Sequence, residues 1–505
     1  MTARILKLPL LVLLMGIGAA AMFLPAAYAA AAKDWQDARA FLYSGLIFLG
    51  LTAMIGVAVS NHAPRRQARN HLLALLGAYL LLPVMLAVPF YEAVGDTRFL
   101  NAWFEMVSDL TTTGATVYED PGRLTGAVHL WRAVVGWMGG FLVWVSSIAI
   151  LAPLSLGGFE VLAMRGQDRT GALTQITRVA DASMRLRRYA ILLFPIYAML
   201  TLALWVGLLV AGDLPLVAVS HAMSTMATSG ISPVGGTQAA GSGMTGEVLI
   251  FLFLGFALSR RTFEREGNVR RRRRLLMDPE IRMGLGLAVG VAGLLFLRHW
   301  WGAIEVEAGR ALGQGLRAFW GGLFTVQSFL TTTGFVSGDW EAARSWSGLG
   351  TPGLVLMGLA LIGGGVATTA GGVKLLRVYA LYTHGLRELD RLVHPSSVGG
   401  SGAFARHLRT RGAYIAWIFF MLFAMSIAAV MLALSLTGLD FDTSVVLTIS
   451  ALSNTGPLAR VAGEVPLSYA ALSDTAKTIL TASMVLGRLE ALAIIALLNP
   501  EFWRS

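Results

Sequence analysis

The stretch Asn101 to Thr116, NAWFEMVSDLTTTGAT, decides the fold: ten residues of helical pattern run into a polar turn, TTTGAT (Thr111 to Thr116), with a single glycine. The same arrangement recurs three times. ATSGIS (Ala227 to Ser232) follows Leu216 to Met226, TTTGFV (Thr331 to Val336) follows Phe319 to Leu330, and SNTGPL (Ser453 to Leu458) follows Asp442 to Leu452. The glycines Gly114, Gly230, Gly334 and Gly456 lie 116, 104 and 122 residues apart. A helix of ten or eleven residues at 1.5 Å per residue is about 16 Å long, half a bilayer, so it cannot cross and has to dip in and return. Non-helical backbone at that depth is tolerated only where it lines a water-filled cavity or is buried in protein. One such turn reads equally as a helix C-cap. Four, each after a half-length helix and before an apolar span, read as an internal repeat that sets the architecture.

The rest of the chain supplies the membrane. Of 505 residues, 55% are hydrophobic and 14% charged, against about a quarter charged in soluble domains. Ten apolar stretches are long enough to span: about 8–30, 39–60, 71–90, 127–153, 189–211, 246–259, 283–301, 350–381 (interrupted), 413–436 and 476–498. The expected fold is an all-α integral membrane protein of ten spans, with four span, re-entrant helix, span repeats around one central pore. Two extra N-terminal spans occupy 1–70, the first repeat 71–165, the second 186–262, an Arg-rich loop 263–282, the third repeat 283–390 and the fourth 411–505. Zero cysteine removes disulfides, thiolate zinc sites, iron–sulfur clusters and a cysteine nucleophile.

The net charge of +11 would suggest a nucleic-acid partner in a soluble domain, but its placement excludes one. The basic charge is mostly Arg, gathered between spans: Arg65, Arg66 and Arg69; Arg165 to Arg188; the run Arg270 to Arg274; and Arg387 to Arg411. The alternate loops carry Glu119, Asp120, Asp213, Glu305, Glu307, Asp339, Glu341, Asp440, Asp442 and Glu464. The positive-inside rule puts the Arg loops and both termini in the cytoplasm. The run Arg270 to Arg274 is explained by topology alone, with anionic lipid or an acidic partner as further readings. The outer acids would gather cations at the mouth, diluted by Arg123, Arg344 and Arg460.

A glycine in each turn permits a backbone angle that aims successive carbonyls to one side. Four such turns around an axis make a ring of oxygens that can replace the water shell of a monovalent cation, and the C-terminal ends of the re-entrant helices add partial negative charge. The candidate ligands are Thr112, Thr113, Gly114; Thr228, Ser229, Gly230; Thr332, Thr333, Gly334; and Asn454, Thr455, Gly456. Seven of the ten residues from Gly363 to Gly372 are Gly or Ala, too many for a stable helix, so an intramembrane loop is expected there, just before Lys374. Close helix packing through small residues is the competing reading. Arg488 and Glu490 fall inside the last span, where ionisable groups face a cavity or pair; Glu490 pairs with Arg488 or with another helix. Glu105 and Asp109 share one helical face, and either add negative potential behind the turns or are neutralised by neighbours. There is no phosphate-loop or H-E-x-x-H pattern, and Gly284, Gly286 and Gly290 fit span packing better than a dinucleotide fingerprint.

With these residues quoted, the chain resembles the TrkH/KtrB superfamily of potassium transporters. The likeness runs through the four turns, GGGVATTAGGVKLLR (Gly363 to Arg377), LVHPSSV (Leu392 to Val398), DPEIR (Asp278 to Arg282) and GRLEALAIIALLNPEFWR (Gly487 to Arg504). Two extra spans favour its TrkH branch. The resemblance implies K⁺ as the transported ion, a bacterial inner-membrane location, a homodimer with one pore per subunit, and a cytosolic nucleotide-binding TrkA-type regulatory subunit. It also implies a gate in residues 363–374, built of Gly363, Gly364, Gly365, Gly371, Gly372 and Lys374, with Arg488 pointing into the pore. On the same ground the first apolar segment, which also reads as a signal peptide, is expected to be retained. Departures at Ser229, Ile231, Thr455 and Leu458 bear on K⁺ over Na⁺ selectivity. The alternatives are a Na⁺-permeable or poorly selective relative, and a membrane-embedded enzyme; no convergent catalytic site supports the second.

Overall fold

The computed structural model describes residues 9–59, 67–152, 158, 182–260, 277–302, 311–349, 351–394, 411–463 and 465–490, and every regular element among them is helical. The run Arg270 to Arg274, most of the other Arg-rich loops, Glu305, Glu307, Glu464, the segment 395–398 and everything after Glu490 lie outside the described residues.

The outer layer is built of long apolar helices: α1 (Leu10–Ala21) and α2 (Phe23–Ala31), nearly continuous, then α3 (Trp35–Val59) and α4 (Gln67–Val94). The first turn follows α5 (Phe99–Leu110) and leads to α6 (Gly126–Ser146); the second repeat has α7 (Ala182–Val210), α8 (Pro215–Ala227) and α9 (Gly243–Leu254). The third runs α10 (Pro279–Gly302), α11 (Ala311–Leu330), α12 (Trp340–Ser347), α13 (Gly353–Ile362) and α14 (Leu375–Val393). The fourth has α15 (Arg411–Ser435), α16 (Phe441–Leu452), α17 (Leu458–Val461) and α18 (Asp474–Leu489).

Seven helical stretches among the described residues are long and apolar enough to cross a membrane: Leu10–Ala31, Trp35–Val59, Leu73–Val94, Gly126–Leu151, Arg185–Val210, Pro279–Arg298 and Ala413–Ser435. The other three expected spans take different forms. α9 gives way after 12 residues to a 3₁₀ turn, Gly255–Ala257. The interrupted span divides into α13 and α14, and α18 runs into residues outside the described set.

Side-chain placement separates outer from inner helices. Met54, Val57, Met199, Val210, Met425 and Leu432 stand exposed on α3, α7 and α15, as lipid-facing residues should. Glu105, Ser108, Asp109, Ser220, His221, Ser224, Ser450 and Thr448 are buried on α5, α8 and α16. Those three helices have 12, 13 and 12 residues, matching the half-length expectation. α11 does not: at 20 residues it starts eight positions before Phe319. Its added turns are amphipathic, exposing Gln314 and Arg317 while Gly315 packs against Phe296 and Trp346, so the helix extends along its neighbours α10 and α12 rather than starting at mid-depth.

Candidate functional site

The four inner helices end alike. Thr112, Thr228, Thr332 and Asn454, each two residues before a turn glycine, take left-handed angles of φ 52°, 51°, 57° and 54°. The next N–H, on Thr113, Ser229, Thr333 and Thr455, donates to the carbonyl five residues back, on Ser108, Ser224, Ser328 and Ser450. This is a Schellman close, normally built on glycine; a β-branched Thr in that conformation is strained and persists only when its surroundings hold it. The acceptor is a serine in all four repeats.

The turns then meet in a ring. A Cβ built on Gly114 would lie 1.9 Å from the Ser229 carbonyl oxygen, and one on Gly230 2.2 Å from that of Thr333. One on Gly334 would lie 2.9 Å from the Pro457 ring, and one on Gly456 2.1 Å from the Ala115 nitrogen. First touches second, second touches third, third touches fourth, and fourth returns to first. Gly456 N–H closes the circle by donating to the Thr113 carbonyl at 2.6 Å. All four glycines line one outer cavity of about 380 Å³. Among the described residues its lining includes Arg132, Arg344 and Arg460 and one acid, Glu341; Glu305, Glu307 and Glu464 of the expected outer acids lie outside the described residues.

The first three turns are braced from behind by side chains of the helices that precede them. Glu105 accepts from Thr116 Oγ1 (2.7 Å) and Val117 N–H (2.6 Å) and pairs with Arg132 at 3.0 Å; Asp109 lies 3.7 Å from the same guanidinium. The two acids are thus neutralised rather than presented to an ion. His221 bonds Ser232 Oγ at 2.8 Å, and Thr325 Oγ1 accepts from Ser337 N–H at 3.2 Å. Glu247 of α9 also holds the third turn, accepting from Gly338 N–H, Ser337 Oγ and Trp320 Nε1. Just outside the first turn, burial pushes Tyr118 up to about 12, and its hydroxyl donates to Thr97 Oγ1 at 2.7 Å. Because Arg132 and Glu105 are both buried, Arg132→Met should leave an uncompensated carboxylate and cost about 3–5 kcal/mol, read as a lower melting temperature of the purified protein.

Beneath the ring lies the Gly-rich segment. It folds back on itself, with Val373 and Lys374 N–H donating to the Leu361 and Ile362 carbonyls, and Lys374 Nζ donates to the Ala370 carbonyl. Gly371 N–H donates to Thr332 Oγ1 at 2.7 Å, and Thr369 Oγ1 meets Thr228 Oγ1 and the Met226 carbonyl, both at 3.2 Å. A Cβ on Gly371 would strike the Ser453 carbonyl oxygen. Arg488 links the segment to the first turn: it donates to the Thr369 carbonyl and the Thr111 carbonyl, each at 2.7 Å, and to Thr112 Oγ1. The segment therefore reaches all four turns, while none of its residues lines the outer cavity. Glu490 pairs with Arg377 of α14 at 2.6 Å, the other-helix alternative, and Arg377 lies over the Phe419 ring. Glu280, inside DPEIR, accepts from Val366 N–H at 2.7 Å, a contact that nothing in the sequence beyond the motif itself signals.

Short buried helices converging on a ring of polar turns, inside a shell of apolar helices, define a membrane protein built to pass a small solute through its centre. The chain belongs to the TrkH family of cation transport proteins, whose family profile matches residues 39–504. It is 30% identical to the Trk system potassium uptake protein TrkH of Salmonella typhimurium over 488 residues, 96% of each chain. It is also 30% identical to that of Vibrio parahaemolyticus over 505 residues, 98% of each. The crystal structure of the potassium transporter TrkH from Vibrio parahaemolyticus superposes with a TM-score of 0.81 at 27% identity, covering 100% of both chains.

Proposed function

We propose that the protein takes up K⁺ across a bacterial inner membrane, through one pore per subunit, with ten spans and both termini cytoplasmic. The observation that carries this reading is the closed ring of four glycine turns under one cavity. Backbone carbonyls of residues 112–114, 228–230, 332–334 and 454–456 replace the ion's hydration shell. The ends of α5, α8, α11 and α16 bring their partial negative charge to the same place. Residues 363–374 and Arg488 close the inner side and act as the gate. The names of the relatives, all Trk potassium uptake proteins, support K⁺ as cargo. The working assembly is a homodimer, with a cytosolic nucleotide-binding subunit of TrkA type that moves the gate.

Expression in a bacterial strain stripped of its own K⁺ systems tests this. The expected result is growth at low external K⁺ and uptake of K⁺ and Rb⁺ above Na⁺. Growth only at high K⁺, despite protein in the membrane, would overturn the assignment.

A further inference from the structure

The position nine residues before each turn glycine carries Glu105, His221 and Thr325 in the first three repeats, and each of these side chains holds its own turn from behind. In the fourth repeat that position is Leu447, buried and unable to hydrogen-bond. The fourth turn differs in its backbone as well. Gly114, Gly230 and Gly334 have φ of 70°, 66° and 80°, whereas Gly456 is absent from the positive-φ residues, and the chain runs through Pro457 straight into α17.

The missing brace is supplied from elsewhere. Tyr469, buried and thirteen residues after Gly456, places its hydroxyl 3.0 Å from the Gly456 carbonyl and 2.6 Å from Ser450 Oγ. Ser450 Oγ donates to the Thr455 carbonyl at 2.9 Å and lies 3.3 Å from that of Gly456. The Phe104 ring packs on the Tyr469 ring at 5.8 Å, fixing it from the first repeat. By contrast, the carbonyls of Ser229, Gly230, Thr333 and Gly334 accept no hydrogen bond among the described residues.

We infer that Tyr469, through Ser450, is the positioning residue that sets the angle of the fourth turn's carbonyls and with it the choice between K⁺ and Na⁺. Selectivity depends on the number and field strength of the coordinating carbonyl dipoles. Two hydroxyl contacts on the Gly456 and Thr455 oxygens fix both quantities in one quarter of the ring. Tyr469 also lines the outer cavity, so its ring closes the wall beside that turn.

This inference rests on the transport reading above, and the test separates the two. K⁺ and Na⁺ flux are measured on the same full-length protein reconstituted in liposomes, for the wild type, Tyr469→Phe, Ser450→Ala, Ser450→Thr and the double variant Tyr469→Phe/Ser450→Ala. Tyr469→Phe and Ser450→Ala should each lower the K⁺/Na⁺ flux ratio by about 3-fold to 10-fold, the order that one lost buried hydrogen bond permits. The double variant should fall no further than the worse single one, because the two hydroxyls contact each other and both reach the Gly456 carbonyl, so they act as one unit. Ser450→Thr, which keeps a hydroxyl, should retain the wild-type ratio. A wild type that moves no cation overturns the transport reading. A wild type that moves K⁺ while Tyr469→Phe keeps its ratio overturns the role of Tyr469 alone. If Tyr469→Phe fails to fold, an unchanged ratio in folded Ser450→Ala has the same consequence.

Discussion

Gly114→Ala is expected to cut K⁺ uptake by at least about 30-fold in a protein that still reaches the membrane. The added Cβ would sit 1.9 Å from the Ser229 carbonyl oxygen, at a residue whose φ is 70°. The neighbour is backbone of the adjacent turn, so it cannot swing aside as a flexible side chain would. A left-handed angle costs a non-glycine residue about 1–2 kcal/mol, and overpacking about 1–3 kcal/mol. Together, about 2–5 kcal/mol on the conduction barrier slows flux by about 30-fold to several thousand-fold. The same geometry ranks the other glycines. Gly456→Ala and Gly230→Ala meet backbone at 2.1 Å and 2.2 Å, whereas Gly334→Ala meets only the Pro457 ring, at 2.9 Å. Radioactive rubidium uptake across the four variants, normalised to folded protein, should therefore show Gly334→Ala as the mildest. Equal losses in all four would mean that the contacts between turns do not set the barrier.

What sequence could supply was periodicity and punctuation. Half-length helices before TTTGAT, ATSGIS and SNTGPL were legible because length alone forbids crossing. The break at Gly363 to Gly372 was legible because glycine depletes a helix of stability. Less visible was the residue that carries the strain. A threonine two positions before the glycine gives no hint of a left-handed angle, since only the surrounding contacts impose it; Asn454 alone is of a type that adopts it readily. The start of α11 is not legible, because Ala311 to Ala318 has too few apolar residues to read as membrane-embedded, yet it continues the helix outward. Partners far apart in the chain could not be read at all: Glu247 with Ser337, Arg377 with Glu490, and Arg488 with Thr111 and Thr369 are brought together only by the ring. Tyr469 belongs with these. Its one sequence signal is negative, a leucine at position 447 where the other repeats carry a polar side chain.

Arg488→Ala is expected to raise basal cation flux at least tenfold in the absence of any regulatory subunit. Two effects add. A guanidinium is always charged, and at an effective dielectric of 20 a unit charge opposes a cation about 4 Å away by about 4 kcal/mol, nearly three decades in rate before water in an open pore screens it. The same group also ties Thr111 and Thr112 of the first turn to Thr369 of the Gly-rich segment, so its removal frees that segment from the first turn. The remaining ties, from Gly371 to Thr332, from Val366 to Glu280 and from Thr369 to Thr228 and Met226, still hold the segment against the third turn, α10 and the second turn. Arg488→Lys separates the two effects, because lysine keeps the charge but lacks the planar fork that reaches both partners. If the charge dominates, Arg488→Lys stays near wild type; if the tie dominates, it leaks like Arg488→Ala. Adding Glu280→Gln, which weakens the second tie while preserving shape, should then increase the leak further. Liposome flux of the purified protein reads all three. Basal flux unchanged in both Arg488 variants, with melting temperatures showing them folded, would remove Arg488 from the gate and leave residues 363–374 to close the pore by packing alone.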